Sequence, residues 1–380
     1  MKSSETKLRK FLTRSAAAVA MVAALSGVVI FGGALGVSVM LIFITFAIFR
    51  ELVAVGYSEA NGKKKLPWYR SLQWAWFFTS LCAAYISDFF KAPMFLNDYF
   101  GDIIPSYLSI VSLHKFSHYK YLILLLMYAF CLMGTVLSLR NGHISVQLHI
   151  LSFTVLALSI FVIPLKMAIF NVFTGIFWFV FPLLLVAVND TFAYLFGMSL
   201  GRRLIKGTFL RISPNKTWEG FLGGGAATLL AGWYLPLWLG SMSWLTCSYL
   251  DLKKFGPENC QPMELFWGCS SSGGAVEVQY HGLFLAFMAS TIAPFGGFFA
   301  SAIKRAYGYK DFASFIPGHG GFMDRLDCQI LMALCTWVHL KTFVVGQSPV
   351  DQVMNSLYSM DANERDAVLE NLLSMKSWKS

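Results

Sequence analysis

Apolar residues recur along the chain in about nine stretches, each near the roughly 20 residues that a helix needs to cross a bilayer. The first two, Ser15 to Ile30 and Leu35 to Phe49, are parted only by Phe31, Gly32, Gly33 and Ala34, and this spacing predicts a tight helical hairpin. Further spans are predicted over Leu72 to Ile86, Tyr121 to Leu139, Val146 to Leu165, Ile169 to Val188, Phe221 to Leu239, Leu283 to Phe299 and Leu326 to Val345. Thr191 to Leu200 is shorter and interrupted, and reads as a half-helix lining a cavity. After Pro349 the chain turns polar, with one amphipathic run from Asp361 to Leu373. The expected fold is an all-α polytopic integral membrane protein, with about nine transmembrane helices around a cytoplasmic-facing polar cavity. A signal peptide is the competing reading of the basic, Ala-rich start, but the second apolar run follows with no mature domain between.

Composition agrees with lipid as the main solvent. The 380 residues are 56% hydrophobic and only 13% charged, against about 25% charged in soluble chains. Seven Cys are too few for a disulfide scaffold. The net charge of +10 is clustered. Lys2, Lys7, Arg9, Lys10 and Arg14 precede the hairpin, and Arg50, Lys63, Lys64, Lys65 and Arg70 follow it, which places both segments on the cytoplasmic side. Counting crossings onward puts residues 202–216 and 304–310 on that side too. The loop at 240–280 then falls opposite, and a lumenal disulfide is expected between two of its Cys247, Cys260 and Cys269. The chain divides into a basic N-terminus (1–14), the hairpin and basic loop (15–70), central helices (71–188), a core (189–346) and a polar tail (347–380). No basic helix or aromatic-studded basic sheet points to nucleic acid.

Two segments carry polar residues that hydrophobic burial does not require. In the first, Asn189 and Asp190 close an almost uncharged run, at a depth where an ionisable side chain is costly and usually functional. A helix cap at the interface is the plainer alternative. Arg202, Ser213, Lys216 and Glu219 follow, and Arg202 and Lys216 also read as positive-inside anchors. The second segment opens with Ser301, Lys304 and Arg305, continues with Lys310 and Asp311, and ends in Pro317-Gly318-His319-Gly320-Gly321-Phe322-Met323-Asp324-Arg325-Leu326-Asp327. Asp324 and Asp327 share one face at the start of an apolar helix. Their like charges invite a hard cation, Mg²⁺ above all where phosphate oxygens complete its shell. N-capping with a salt bridge to Arg325 or Lys310 would equally account for them. Gly318, Gly320 and Gly321 would let backbone approach a phosphate, and the helix N-terminus would offer unpaired N–H groups. His319 is a candidate for substrate contact or proton transfer, against an ordinary loop hydrogen bond.

The run Ser301-x-x-Lys304-Arg305, Lys310-Asp311 and Pro317-x-His319-Gly320-Gly321-x-x-Asp324-Arg325-x-Asp327 resembles the signature of phosphatidate cytidylyltransferases, also called CDP-diacylglycerol synthases. Twelve positions match within 27 residues. Asn189-Asp190 with Ala193-Tyr194 and Gly197, Ser213-Pro214 with Lys216-Thr217-Trp218-Glu219-Gly220, and Leu66-Pro67-Trp68-Tyr69-Arg70 look like the eukaryotic branch. The bacterial members carry an acid upstream of the Ser-x-x-Lys-Arg run, where this chain has Gly296 and Gly297. Asp190 or Asp311 would then replace it.

The resemblance implies that CTP and phosphatidate give CDP-diacylglycerol and diphosphate with Mg²⁺. By that reading Asp324, Asp327, Asp190 and Asp311 are metal candidates, and Lys304, Arg305, Arg325 and His319 act at the reacting phosphates. Asn189, Arg202, Ser213, Lys216, Glu219, Ser301, Lys310, Gly320 and Gly321 would contact substrate. The endoplasmic reticulum is the implied location, with the site facing the cytoplasm, and homodimerisation is compatible with it. The rivals are a CTP-dependent polyprenol or dolichol kinase, and a transporter or scramblase for an anionic solute.

Overall fold

The computed structural model describes residues 2–60, 68–100, 118–203, 216–247, 264–266, 276–315 and 320–345, with isolated positions 205, 209, 213, 360, 365, 366, 368 and 370. It falls into two units, Met1–Thr336 and Trp337–Ser380. The first holds every described site residue. The second contributes the end of the last long helix and a π turn, Leu340–Val344. Cys260, Cys269, His319 and most of the amphipathic run at 361–373 lie outside the described residues.

Among the described residues the elements are helical. They are α1 (Lys2–Ala60), α2 (Tyr69–Phe100), α3 (Lys120–Ser138), α4 (Ile144–Ala157), α5 (Ile163–Thr174), α6 (Phe177–Ser199), α7 (Trp218–Gly240), the short α8 (Ser243–Thr246), α9 (Glu277–Thr291), α10 (Ala293–Ala306) and α11 (Met323–His339). Among the described residues, five stretches are long and apolar enough to cross a membrane: Ser15–Gly56, Lys120–Ser138, Ile144–Thr174, Phe177–Ser199 and Glu277–Ala306. In α3 only Cys131 is buried, while Leu125, Phe130 and Leu137 are exposed by 61% to 85%. An apolar helix turned outward in this way is a lipid-facing surface.

The predicted hairpin is present inside α1. Gly33 turns the chain with φ 53° and ψ −150°, a region open to glycine and strained for other residues. Past it the second arm runs back along the first. The Val28 carbonyl oxygen lies 3.4 Å from where a Gly36 Cβ would stand, and Met21 and Ile44 line one cavity, although a straight helix would separate those two by about 34 Å. The second arm packs on α2 through Phe49, stacked on Phe77 with ring centroids 4.2 Å apart, in a cluster with Val53, Leu158 and Val162.

Other boundaries differ from the sequence reading, for identifiable reasons. The break expected near Lys166 falls instead at Gly175, between α5 and α6. Lys166 stays inside the helix because its ammonium reaches the Ala84 carbonyl of α2 and lies 5.7 Å from the Tyr85 ring. The expected half-helix from Thr191 to Leu200 is the end of a continuous α6. The Thr191 and Ser199 hydroxyls donate back to the Ala187 and Leu195 carbonyls, at 2.7 and 2.8 Å, and so leave the helix unbroken. The span expected from Leu283 to Phe299 is two helices joined at Ile292, with Pro294 in the first turn of α10, a position that tolerates its missing N–H.

Helix α7 is the tightest junction. A Cβ on Gly224 would stand 2.9 Å from the Ala193 Cβ of α6, and one on Gly232 would stand 2.5 Å from the Ala286 Cβ of α9. Small residues that let backbones touch are the usual means of helix association in lipid, where no hydrophobic effect draws helices together. Amide side chains tie α11 to its neighbours: Gln329 Nε2 donates to the Leu183 carbonyl of α6 at 3.1 Å, and Asn171 Nδ2 of α5 to the Ala333 carbonyl at 3.0 Å.

Adjacent glycines of α7 provide a matched test of this packing. Gly224→Ala must push α6 away and should destabilise the purified protein by about 1 to 3 kcal/mol. Gly225→Ala meets nothing closer than the Ser290 Cβ at 3.6 Å and should be neutral or slightly stabilising, with thermal unfolding in detergent as the readout.

Candidate active site

Helix α11 begins in a knot of carboxylates. A helix leaves its first N–H groups without intrahelical partners. Here the Gly321 N–H donates to Asp324 Oδ2 at 3.0 Å, while those of Phe322 and Met323 donate to Glu51 Oε1 and Oε2, both at 2.9 Å. Asp324 Oδ2 also accepts the Phe312 N–H at 2.9 Å, and Oδ1 accepts Lys304 Nζ at 2.7 Å. The side chains of Lys304 and Asp324 are 13% and 3% exposed, so removing either leaves the other an uncompensated buried charge.

Two glycines make this knot possible. Gly320 has φ 81°, and a Cβ there would stand 2.8 Å from Asp324 Oδ2. A Cβ on Gly321 would stand 2.5 Å from Glu51 Oε2. The unpaired N–H groups expected at this N-terminus for a phosphate are therefore not available at Gly321, Phe322 or Met323. The positive end of the helix attracts anions, and anions belonging to the chain itself already fill it.

One turn further, Asp327 looks elsewhere. Its Oδ1 accepts the Cys328 N–H at 2.8 Å, and its Oδ2 lies 3.4 Å from where a Gly297 Cβ would stand. A Cβ on Gly296 would fall 2.3 Å from the Asp327 carbonyl oxygen. Helices α10 and α11 thus cross backbone to backbone, and an acidic side chain at Gly296 would not fit. Asp327 lies within Coulombic reach of Lys304 and Asp190, and Asp190 within reach of Lys216 and Arg325. Positive and negative side chains from α6, α10, α11 and the segment before α7 alternate through one region.

Asp190 and Lys216 line a cavity of about 280 Å³ together with Asn189, Thr217, Tyr194 and Phe298. Asn189 is buried, and its Oδ1 accepts the Thr228 hydroxyl of α7 at 3.4 Å. Thr217 caps α7 by accepting the Gly220 N–H at 3.2 Å. Glu219 is buried and accepts the Ile205 N–H at 2.9 Å, so it holds the preceding segment. The Ser213 carbonyl accepts the Lys216 N–H at 3.1 Å. A second cavity of about 510 Å³, almost wholly apolar, opens between the hairpin arms, α5, α6 and α11, with Arg325 and Gln329 in its wall.

The remaining sequence-derived residues stand further out. Arg305 is exposed and donates to the Tyr309 carbonyl at 3.4 Å. Lys310, Asp311 and Arg202 are exposed, and Ser301 is half-buried. Glu51 is the residue that sequence reasoning missed. It is the one acid between Ser15 and Gly56, and the rule that singles out Asp190, an ionisable group within an apolar run, applies to it equally.

Among the described residues no three His, Cys, Asp or Glu side chains are grouped to enclose a metal unaided. A Mg²⁺ ion that borrows phosphate oxygens needs only one or two carboxylates, and Asp190 with Asp327 meets that requirement. The donor set therefore fits a metal shared with substrate.

Among known proteins, residues 12–343 match the model of the Cytidylyltransferase family. The chain is 32% identical over 384 residues to phosphatidate cytidylyltransferase 1 of Arabidopsis thaliana, covering 96% of this chain and 87% of that one. It is 34% identical over 337 residues to phosphatidate cytidylyltransferase 2 of Homo sapiens, covering 85% and 72%.

The Lys304–Asp324 contact should behave as one unit. Lys304→Met and Asp324→Asn should each destabilise the protein by roughly 3 to 5 kcal/mol. The double variant should lose less than the sum, by about 1 kcal/mol or more, in a double-mutant cycle read by thermal unfolding.

Proposed function

Because the chain belongs to the cytidylyltransferase family, we propose a division of labour among its residues for the reaction of CTP with phosphatidate. The chain is a membrane nucleotidyltransferase that produces CDP-diacylglycerol and diphosphate, the reaction of the phosphatidate cytidylyltransferases it resembles. A phosphate oxygen of phosphatidate attacks the α-phosphorus of CTP, the bond to the β-phosphate bridging oxygen breaks, and diphosphate leaves. The nucleophile is already an anion, so no strong base is needed. The demand is to bring two anions together and to neutralise the departing charge.

The observation that carries the assignment is that Asp190, which lines the cavity with Lys216, lies within Coulombic reach of Lys216 and Arg325, while Asp327 lies within reach of Lys304 and Asp190. Lys216 and Arg325 clamp phosphates, and Lys304 is fixed by Asp324 so that its charge faces Asp327. Asp190 and Asp327 would hold Mg²⁺, which when bound supplies charge neutralisation on the triphosphate. In this reading Asp324 contributes by setting Lys304 and the turn, and Asn189, Thr217 and Glu219 shape the nucleotide side. The apolar cavity beside Arg325 suits the acyl chains of a lipid whose phosphate lies at its polar end. Arg305, Lys310, Asp311, Arg202 and Ser301 are assigned to the outer approach.

We further infer about nine transmembrane helices, with this site on the cytoplasmic face of the endoplasmic reticulum. The basic segments flanking the hairpin support that orientation. So does Cys247, which is disulfide-bonded, since its loop would then lie in the oxidising lumen; Cys82, Cys131, Cys328 and Cys335 are free.

Purified protein given CTP, phosphatidate and Mg²⁺ should release diphosphate and form CDP-diacylglycerol, and withholding Mg²⁺ should abolish turnover. Release of CDP with a phosphorylated lipid would identify a kinase instead. Asp327→Asn and Asp190→Asn should each lower kcat by roughly 100-fold, and turnover near the wild-type level in either would refute the metal assignment.

A further inference from the structure

Glu51 lies on the second arm of the hairpin, 271 residues from the backbone it binds. It is 7% exposed, and both of its oxygens are engaged by the Phe322 and Met323 N–H groups. Gly321 has no room for a side chain because that carboxylate stands where its Cβ would be. A single acid would suffice for an ordinary N-cap, and such caps come from the residue just before the helix. Here Asp324 performs the local task for Gly321, and Glu51 is brought from a distant segment for the next two amides. Its contacts fix the start of α11 in both position and rotation, since two oxygens on two successive amides define a plane.

Rotation matters for this helix. Asp324 and Arg325 follow Met323 directly, and Asp327 is one turn on, so an α-helix turning 100° per residue carries any twist at Met323 straight into the direction of those side chains. Lys304 is held by Asp324 and would move with it. Phe322 also packs edge-on against Phe43 of the same arm, with centroids 6.2 Å apart, so the hairpin grips the turn from two points.

We propose that Glu51 is a positioning residue for the nucleotidyl transfer: it clamps the N-terminus of α11 so that Asp327, Arg325 and the Lys304–Asp324 pair face the substrates. This rests on the functional reading above, and it makes the hairpin part of the catalytic structure as well as a membrane anchor. It requires both carboxylate oxygens. Glu51→Gln keeps the size of the side chain but replaces one acceptor by an NH₂ group, which cannot accept the second amide. Glu51→Asp keeps the charge on a shorter stem that cannot reach both amides as the native residue does.

The test compares wild type, Glu51→Gln and Glu51→Asp, each selected as the monodisperse folded fraction. Wild-type turnover of CTP and phosphatidate tests the functional reading, and only if it holds do the variants test the clamp. In Glu51→Gln we expect kcat to fall roughly 10- to 100-fold, and the Mg²⁺ concentration for half-maximal rate to rise as Asp327 loses its aim. Amide hydrogen exchange, followed in a peptide covering residues 320–328, should quicken while exchange in α7 is unchanged. Glu51→Asp should lie between the two. A Glu51→Gln enzyme with wild-type kcat and Mg²⁺ dependence, or with unchanged exchange at 320–328, would overturn the proposal. So would a loss of activity matched by faster exchange across all helices, because Glu51 would then serve general stability only.

Discussion

The constraint on which this structure depends is the cost of holding charge in an apolar surrounding. An ionised side chain taken out of water must find a partner or lose its charge. The chain meets that requirement at one place by stacking partners around the start of α11: Lys304 and two amides for Asp324, two further amides for Glu51. Once these are fixed, the direction of α11 is fixed. Asp190 of α6 then lies within Coulombic reach of Lys216, in the segment before α7, and of Arg325 and Asp327 on α11. The glycines at 320 and 321 follow from the same requirement, because these carboxylates can approach only where no Cβ intervenes.

Packing elsewhere serves that arrangement. Helix α7 sits against α6 and α9 through glycines, which sets Asn189 and Asp190 beside the segment that carries Lys216. Gln329 and Asn171 attach α11 to α6 and α5 through backbone carbonyls. Hydrogen bonds of this type are worth little individually in membrane proteins, about 0.6 kcal/mol on average, so their role is in setting register more than in adding stability. The hairpin contributes in two ways. It carries Glu51 to α11, and residues of both arms line the apolar cavity.

Much of this was legible in the chain. The hairpin could be read from two apolar runs parted by Gly32 and Gly33, and the helical, lipid-facing character from 56% hydrophobic and 13% charged residues. The family could be read from residues 301–327, which lie within the span that matches the cytidylyltransferases. Several features that escaped did so because their determinants are partners distant in sequence. Lys166 looks like a helix boundary until Ala84 and Tyr85 are placed beside it. Asp324 and Asp327 look like a matched pair by spacing, yet Asp324 is absorbed by Lys304 and two amides while Asp327 faces Gly297 and Asp190. The helix N-terminus looks open to phosphate because nothing nearby in sequence indicates that Glu51 will occupy it.

The central claim is that nucleotide phosphates and their metal are received between α6, α10 and α11, with the lipid entering from the apolar cavity. It is tested most directly by a cryo-EM structure of the full chain in lipid nanodiscs with Mg²⁺ and a CTP analogue that cannot be cleaved between the α- and β-phosphates. The triphosphate is expected beside Lys216, Lys304 and Arg325, with a metal ion ligated by Asp190 and Asp327, and Glu51 still bonded to the Phe322 and Met323 amides. A triphosphate seated away from these residues, or a metal held by neither Asp190 nor Asp327, would contradict it.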